Sequence, residues 1–189
     1  MAITRECERR YCTLAEYRAL PEDFRAELVE GELVALSAPS RIHQRISVSL
    51  VTRLGSYLEG KTCELYSAPF DVYLNEQDEE RSTVVQPDII VICDPSKLRD
   101  DGCHGAPDLV IEILSPSNTI REQACKYDLY QKYGVREYWV IDPEEKTLCV
   151  YLRNDKSQLA IKDFYGASDT VKVNILADCQ IDLGPIFSF

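Results

Sequence analysis

Residues 107–115 read Pro-Asp-Leu-Val-Ile-Glu-Ile-Leu-Ser, and residues 86–93 read Gln-Pro-Asp-Ile-Ile-Val-Ile-Cys. Each stretch opens on a Pro-Asp dipeptide and continues as a short apolar run. Apolar side chains at successive positions suit a strand covered on both faces. These runs predict central strands over 83–93 and 107–114. In the second, Glu112 stands in the middle of the apolar run. An ionised carboxylate there is costly unless it is paired or holds a cation. Strand alternation puts Asp108, Val110, Glu112 and Leu114 on one face. Asp88 starts the other run, so pairing of the two strands would let Asp88 and Glu112 converge on one ion. Hard oxygen ligands favour Mg²⁺ or Mn²⁺ over zinc. The alternative is structural: a buried Glu can bond to a Tyr hydroxyl or an Arg, and a strand-end Asp can cap a turn.

Outward from this pair, the pattern predicts an ordered series of elements. A helix over 14–26 begins at Thr13, with Glu16 completing a capping box. Residues 27–37 alternate around Gly31 as a hairpin or one bent strand. Ile42, Ile46, Leu50, Leu54 and Leu58 recur at helical spacing within residues 40–58. Strands follow over 62–66 and 69–75. Ser117 or Asn118 can cap a helix over 119–133, which Gly134 ends. Strands over 136–142 and 146–153 flank the turn Pro-Glu-Glu-Lys, and residues 157–189 read as short strands and loops. The series predicts an α/β fold, a central mixed sheet flanked by helices. Length predicts a single domain over 1–189, with a core over about 14–153 and an extension over 154–189.

Composition narrows the class. The 45% hydrophobic and 28% charged fractions are those of a globular protein. No apolar run reaches the roughly 18 residues of a membrane helix. The charged N-terminus lacks a secretory h-region, which predicts a cytoplasmic protein. Eight cysteines are scattered without a Cys-x-x-Cys pair, so reduced thiols are expected rather than a disulfide framework or zinc site. Cys103 and His104 read as part of a glycine-flanked loop. A net charge of −11 opposes nucleic-acid binding. Arg41, Arg45, Arg53 and Lys61 nevertheless cluster within residues 39–62, consistent with a basic working face or a plain solvated surface.

The stretches QPDIIVI, APDLVIEILSPSN, KYDLYQKYGVREYWVIDP and ELVEGELVALSAPSRIHQ resemble the Uma-type endonuclease family of the PD-(D/E)xK nuclease superfamily, over roughly residues 14–153. The resemblance implies a restriction-endonuclease-like fold and a Mg²⁺- or Mn²⁺-dependent site. Asp88 and Glu112 match the two motif acids. The motif lysine position holds Leu114, and Lys126 on the following helix matches a migrated lysine. Glu27 matches an acidic residue placed before the sheet, and His43 a histidine after the first hairpin. Each has a structural reading: Lys126 could pair with Glu122 one helical turn away, Glu27 could be solvated, and His43 could be a satisfied half-buried histidine. Asp108 reads as a turn or strand cap, and Tyr127, Tyr130, Tyr133, Tyr138 and Trp139 as core.

The implied reaction is phosphodiester hydrolysis of DNA. Asp88, Glu112 and the Ile113 backbone carbonyl would hold the metal, which polarises the phosphate and acidifies a water. Lys126 would orient the water or neutralise developing charge; Glu27 and His43 would complete the site. The competing expectation is a binding or regulatory module that keeps the fold without the chemistry. A small-molecule hydrolase using Glu112 and His43 as acid and base is a third. A homodimer is expected from the need to cut two strands.

Overall fold

The computed structural model describes residues 10–21, 24–116 and 119–189. The described residues open with β1 (Arg10–Tyr11), α1 (Leu14–Arg18), β2 (Ala26–Val29), β3 (Glu32–Ala35) and the long helix α2 (Arg41–Leu58). Strands β4 (Glu64–Ser67), β5 (Val72–Asn75), β6 (Thr83–Val85), β7 (Ile89–Ile92), β8 (Leu98–Arg99), β9 (Gly102–His104) and β10 (Leu109–Ile113) follow. Helix α3 (Ile120–Tyr133) leads to β11 (Glu137–Asp142), β12 (Thr147–Arg153) and β13 (Leu159–Gly166). The chain ends in β14 (Thr170–Lys172), β15 (Gln180–Asp182) and α4 (Gly184–Phe187).

Among the described residues, two large sheets carry the fold. One has the order β13-β12-β11-β10-β7-β4; the other is β1-β3-β2-β6-β5-β9-β8. The first is mixed, because β10 runs parallel to β11 and antiparallel to β7. The strand expected over 83–93 is therefore two strands, β6 and β7, in different sheets. The break falls at Gln86-Pro87-Asp88, where proline has no N–H to give a ladder and the Gln86 N–H goes instead to the Glu27 carboxylate. This switch leaves Asp88 at the junction of the sheets.

The six-stranded sheet is covered on both faces. On one, Ile46, Leu50 and Leu54 of α2 pack fully buried against Ile89, Val91, Leu109, Ile111 and Trp139. Each such side chain stabilises the fold by about 1.5–3 kcal/mol. On the other, Val110, Ile90 and Tyr138 meet Leu129 and Tyr130 of α3 and Val72 and Val85 of the second sheet. The tail is more structured than its sequence suggested. β13 is eight residues long, and Val171, Val173, Ile181, Leu183, Ile186 and Phe187 are buried in the same cluster as α2. Glu137, fully buried, anchors it by accepting the Trp139 indole N–H (2.7 Å), the Asn174 amide (3.0 Å) and the Ile175 backbone N–H (2.8 Å).

Local signals explain the element ends. Thr13 and Glu16 form the expected capping box, but α1 stops at Arg18, shortly before Pro21. The hairpin turns at Glu30 and Gly31, both at positive φ (49° and 83°), and a Cβ on Gly31 would lie 2.1 Å from the Glu80 carbonyl oxygen. Thr119 caps α3 through a second capping box with Glu122, and Gly134 closes it in the left-handed conformation; the proposed caps Ser117 and Asn118 lie outside the described residues. Cys103 and His104 belong to β9 rather than to a loop, with His104 stacked on Tyr73 and bonded to Glu76 and Asp101. The expectation of reduced cysteines fails at one pair. Cys63 and Cys93 are disulfide-bonded, because antiparallel pairing of β4 with β7, Glu64 opposite Ile92, sets them across from each other. Among the described residues, no helix is long and apolar enough to cross a membrane.

Candidate active site

Pairing of β7 with β10 places Ile89 opposite Ile111, so the residues next to them, Asp88 and Glu112, meet at the same end of the two strands. The Ile113 backbone N–H donates to Asp88 Oδ2 (2.7 Å). His43, in the first turn of α2, brings Nε2 to 3.1 Å from the same oxygen. Ser40 caps that turn by accepting the His43 backbone N–H, which fixes where the imidazole enters. His43 is only 8% exposed, continuing the buried stripe of Ile46, Leu50, Leu54 and Leu58.

Lys126 projects from α3 into this acidic end. Its Nζ lies 3.1 Å from Glu112 Oε1 and 2.5 Å from Glu27 Oε1. The alternative pairing with Glu122 is not made; the Glu122 carboxylate accepts the Thr119 backbone N–H instead. Glu27, 3% exposed on β2, is likewise not a solvated residue. Glu112 Oε1 also accepts the Tyr130 hydroxyl (2.5 Å), so the structural partner anticipated for a buried glutamate is present alongside the lysine. Asp108 stands apart: it accepts the Cys93 N–H and pairs with Arg136, the strand-capping role expected of it. The aromatic set divides. Tyr130, Tyr138 and Trp139 are buried core, while Tyr127 and Tyr133 pack partly buried at its margin.

Electrostatics follow from this crowding. Burial raises the Glu112 carboxyl to about 7; Asp88 and Glu27 push in the same direction, and Lys126 and the Tyr130 hydroxyl oppose them. Burial pulls the Lys126 ammonium down, but Glu112 and Glu27 together outweigh it and hold the group above its ordinary value. The Tyr130 hydroxyl is pushed well up, first by burial and then by Glu112.

These groups share one cleft of about 550 Å³, whose lining includes Glu27, His43, Asp88, Glu112, Ile113, Leu114 and Lys126. All five expected site side chains and Ile113 are thus brought together. Leu114, at the motif lysine position, faces the same space. The basic helix is not: Arg41, Arg45, Arg53 and Lys61 do not line the cleft, and α2 presents Gln44, Ser47, Val48, Val51 and Thr52 to it. The side chains of Arg45 and Arg53 are engaged by the Ser188 carbonyl and by Ser49. Arg25 and Gln86 are among the cleft residues that sequence reasoning missed. Strand alternation from Glu27 carries a signal for the first, and the second stands in the Gln-Pro-Asp motif itself.

A mixed sheet flanked by helices, with an acidic pair on adjacent central strands and a lysine beside it, defines the restriction-endonuclease-like class of nuclease folds. The chain belongs to the family described as "Uma2: Putative restriction endonuclease", which matches residues 14–184 and so takes in most of the tail. A crystal structure described as "a putative nuclease belonging to DUF820" from Anabaena variabilis superposes with a TM-score of 0.74 at 23% identity, covering 94% of this chain and 98% of that one. Two Synechocystis proteins are also similar. The one named slr1290 is 28% identical over 78% of this chain and 75% of its own length. The one named sll1609 is 26% identical over 69% and 74%.

Proposed function

We propose that the cleft hydrolyses phosphodiester bonds of DNA with the help of Mg²⁺ or Mn²⁺. The observation that carries the reading is Lys126 Nζ at 3.1 Å from Glu112 Oε1: a lysine from α3 stands beside the acid where the strand offers only Leu114.

The donor chemistry fits a hard divalent ion. Asp88 and Glu112 supply carboxylate oxygens and Ile113 a backbone carbonyl. No hydrogen bond among the described residues reaches Asp88 Oδ1 or Glu112 Oε2. No three His, Cys, Asp or Glu side chains form a metal-holding group among the described residues, and a Mg²⁺ site suits this, since that ion uses one or two carboxylates completed by water and phosphate oxygens. Bound there, the ion would supply Lewis acidity at the phosphoryl oxygen and lower the pKa of a water.

The chain's own residues do the remainder. Lys126, kept charged by its two carboxylates, donates hydrogen bonds to the attacking water or to charge growing on the phosphate. Glu27 holds that ammonium in place (2.5 Å) and ties it to the Gln86 backbone (2.9 Å). His43 fixes the Asp88 carboxylate from one side and the Ile113 N–H from the other. Glu112, near neutrality in its proton affinity, can exchange a proton with water in the cleft at physiological pH. A C₂ homodimer would bring two such clefts to the two strands of a duplex.

A nuclease-fold module without chemistry is the second reading. It is favoured by the closed pairing of Lys126 with Glu27 and Glu112 and by Leu114 at the motif lysine position. Mn²⁺-dependent cleavage of plasmid DNA by the wild type, D88A and E112A decides between the readings. Cleavage lost in both variants supports the enzyme; cleavage by either variant at the wild-type rate, or none by the wild type, removes it.

A further inference from the structure

Arg25 lies immediately before β2 and two residues from Glu27, so the two side chains share the face turned to the cleft. Its backbone is held in the hairpin, where the Arg25 carbonyl accepts the Leu36 N–H (3.0 Å). The side chain lines the cleft. Its Nε is buried without a hydrogen-bond partner, and no ion pair or hydrogen bond among the described residues engages the guanidinium.

The other basic groups of the cleft are engaged. Lys126 is neutralised by Glu27 and Glu112, and His43 is bonded to Asp88. The arginines of α2 lie elsewhere. A partly buried, unpaired guanidinium is costly to keep in a folded protein. Here it is kept in a cleft whose remaining charge is acidic. Two further buried atoms of the same lining, His43 Nδ1 and Gln86 Oε1, also lack partners. The wall of the cleft thus holds unmet polar capacity that the fold itself does not use.

We propose that Arg25 is the phosphate clamp of the cleft: its guanidinium receives a backbone phosphate of the nucleic acid adjoining the one that reacts. Two residues of strand separate it from Glu27 by roughly 6–7 Å, which sets it off the Lys126–Glu112 centre and beside it. The planar fork of arginine matches two phosphate oxygens, and the acidic body of the protein leaves this cation as the local attraction for an anion. Arg25 is therefore a positioning residue. The assignment rests on the nucleic-acid reading of the cleft.

The test compares the full-length wild type, R25A and R25K. Binding of a labelled 20-base-pair DNA is measured with Ca²⁺ present at several salt concentrations, alongside Mn²⁺ titration, Mn²⁺-dependent cleavage and thermal melting. The expected result for R25A is at least tenfold weaker DNA binding and a shallower salt slope, by about 0.9 for one lost phosphate contact. KM should rise more than kcat falls, and Mn²⁺ affinity should match the wild type. R25K should keep the salt slope and bind with intermediate affinity. Because no described residue pairs with the Arg25 guanidinium, the melting temperature of R25A should equal or exceed that of the wild type; a purely structural arginine would lower it. Wild-type DNA affinity and salt slope in R25A, or a lowered melting temperature with unchanged binding, overturns the assignment, as does a wild type that binds no DNA. Mn²⁺ binding separates the two claims. If Mn²⁺ binds the wild type but R25A is unaltered toward DNA, only the clamp falls. If Mn²⁺ does not bind, the metal-dependent reading falls, and a weakened R25A still supports the clamp.

Discussion

Lys126 and Glu112 meet at 3.1 Å although one belongs to a helix and the other to a central strand. The position two residues beyond Glu112, where the motif lysine would stand, is Leu114, which also lines the cleft. The ammonium has been supplied from another element to the same carboxylate. Replacing Lys126 by Met should lower Mn²⁺-dependent cleavage about 10²–10⁴-fold, the range for a group assisting proton transfer or charge neutralisation. The double variant L114K/K126M tests equivalence of the two positions and should recover part of the lost rate. No recovery with intact Mn²⁺ binding would show that the helix position itself matters.

Burial of the Glu112 carboxyl, which Lys126 only partly offsets, sets a pH dependence. Glu112 in the fold lies above its ordinary value of 4.5, at about 7, so the protonated form is the one the fold favours. Its contribution to stability is full below about 4.5 and is lost as pH rises through about 7. The melting temperature of the metal-free wild type should therefore fall across that window by an amount corresponding to roughly 3 kcal/mol. E112Q should lack this fall. Lys126 is raised instead, so its contribution is full at neutral pH and is lost only in strongly alkaline solution. Mn²⁺ binding should weaken below pH 7 and release a proton, measurable by calorimetry in two buffers of different ionisation enthalpy.

His43 reaches Asp88 from the first turn of α2. Groups that orient a metal-binding carboxylate in this way typically affect affinity or activity about 10–100-fold. H43A should show a loss of that size in Mn²⁺ affinity or cleavage, with the melting temperature little changed. An unaltered affinity and rate would confine His43 to packing.

Glu137 provides the contrasting case of a buried carboxylate used for structure. It accepts three hydrogen bonds, two of them from Asn174 and Ile175 in the tail. E137A should cost about 2–4 kcal/mol of unfolding free energy, the range for leaving several buried donors unmet. Mn²⁺ affinity in the folded fraction should match the wild type, which urea denaturation and calorimetry together would establish.

Glu112 and Asp88 show which features were legible in the sequence. Glu112 was readable because an apolar run isolates it, and Asp88 because Pro-Asp opens the neighbouring run. The stripe of α2 and the Thr13–Glu16 cap were readable because they depend on residues three and four apart, whereas the Thr119–Glu122 box of α3 was not anticipated. The division of 83–93 between two sheets was not, since strand pairing depends on partners far along the chain and only Pro87 hints at the break. The short strands of the tail were expected, but its place in the core was hidden for the same reason: Val171, Ile181 and Phe187 alternate weakly by themselves and become core only against α2 and β11. The Cys63–Cys93 bridge followed from β4–β7 register, which spacing alone does not encode. Arg25 and Gln86 are ordinary polar residues until the cleft closes around them.

The central claim is that Asp88 and Glu112 hold one divalent ion with Lys126 beside it. Crystals soaked in Mn²⁺ and measured for anomalous scattering test it most directly. The account predicts a manganese peak bonded to carboxylate oxygens of both Asp88 and Glu112, absent from E112A crystals treated alike. A fully soaked crystal with no peak between these residues, or a peak that persists unchanged in E112A, would contradict it.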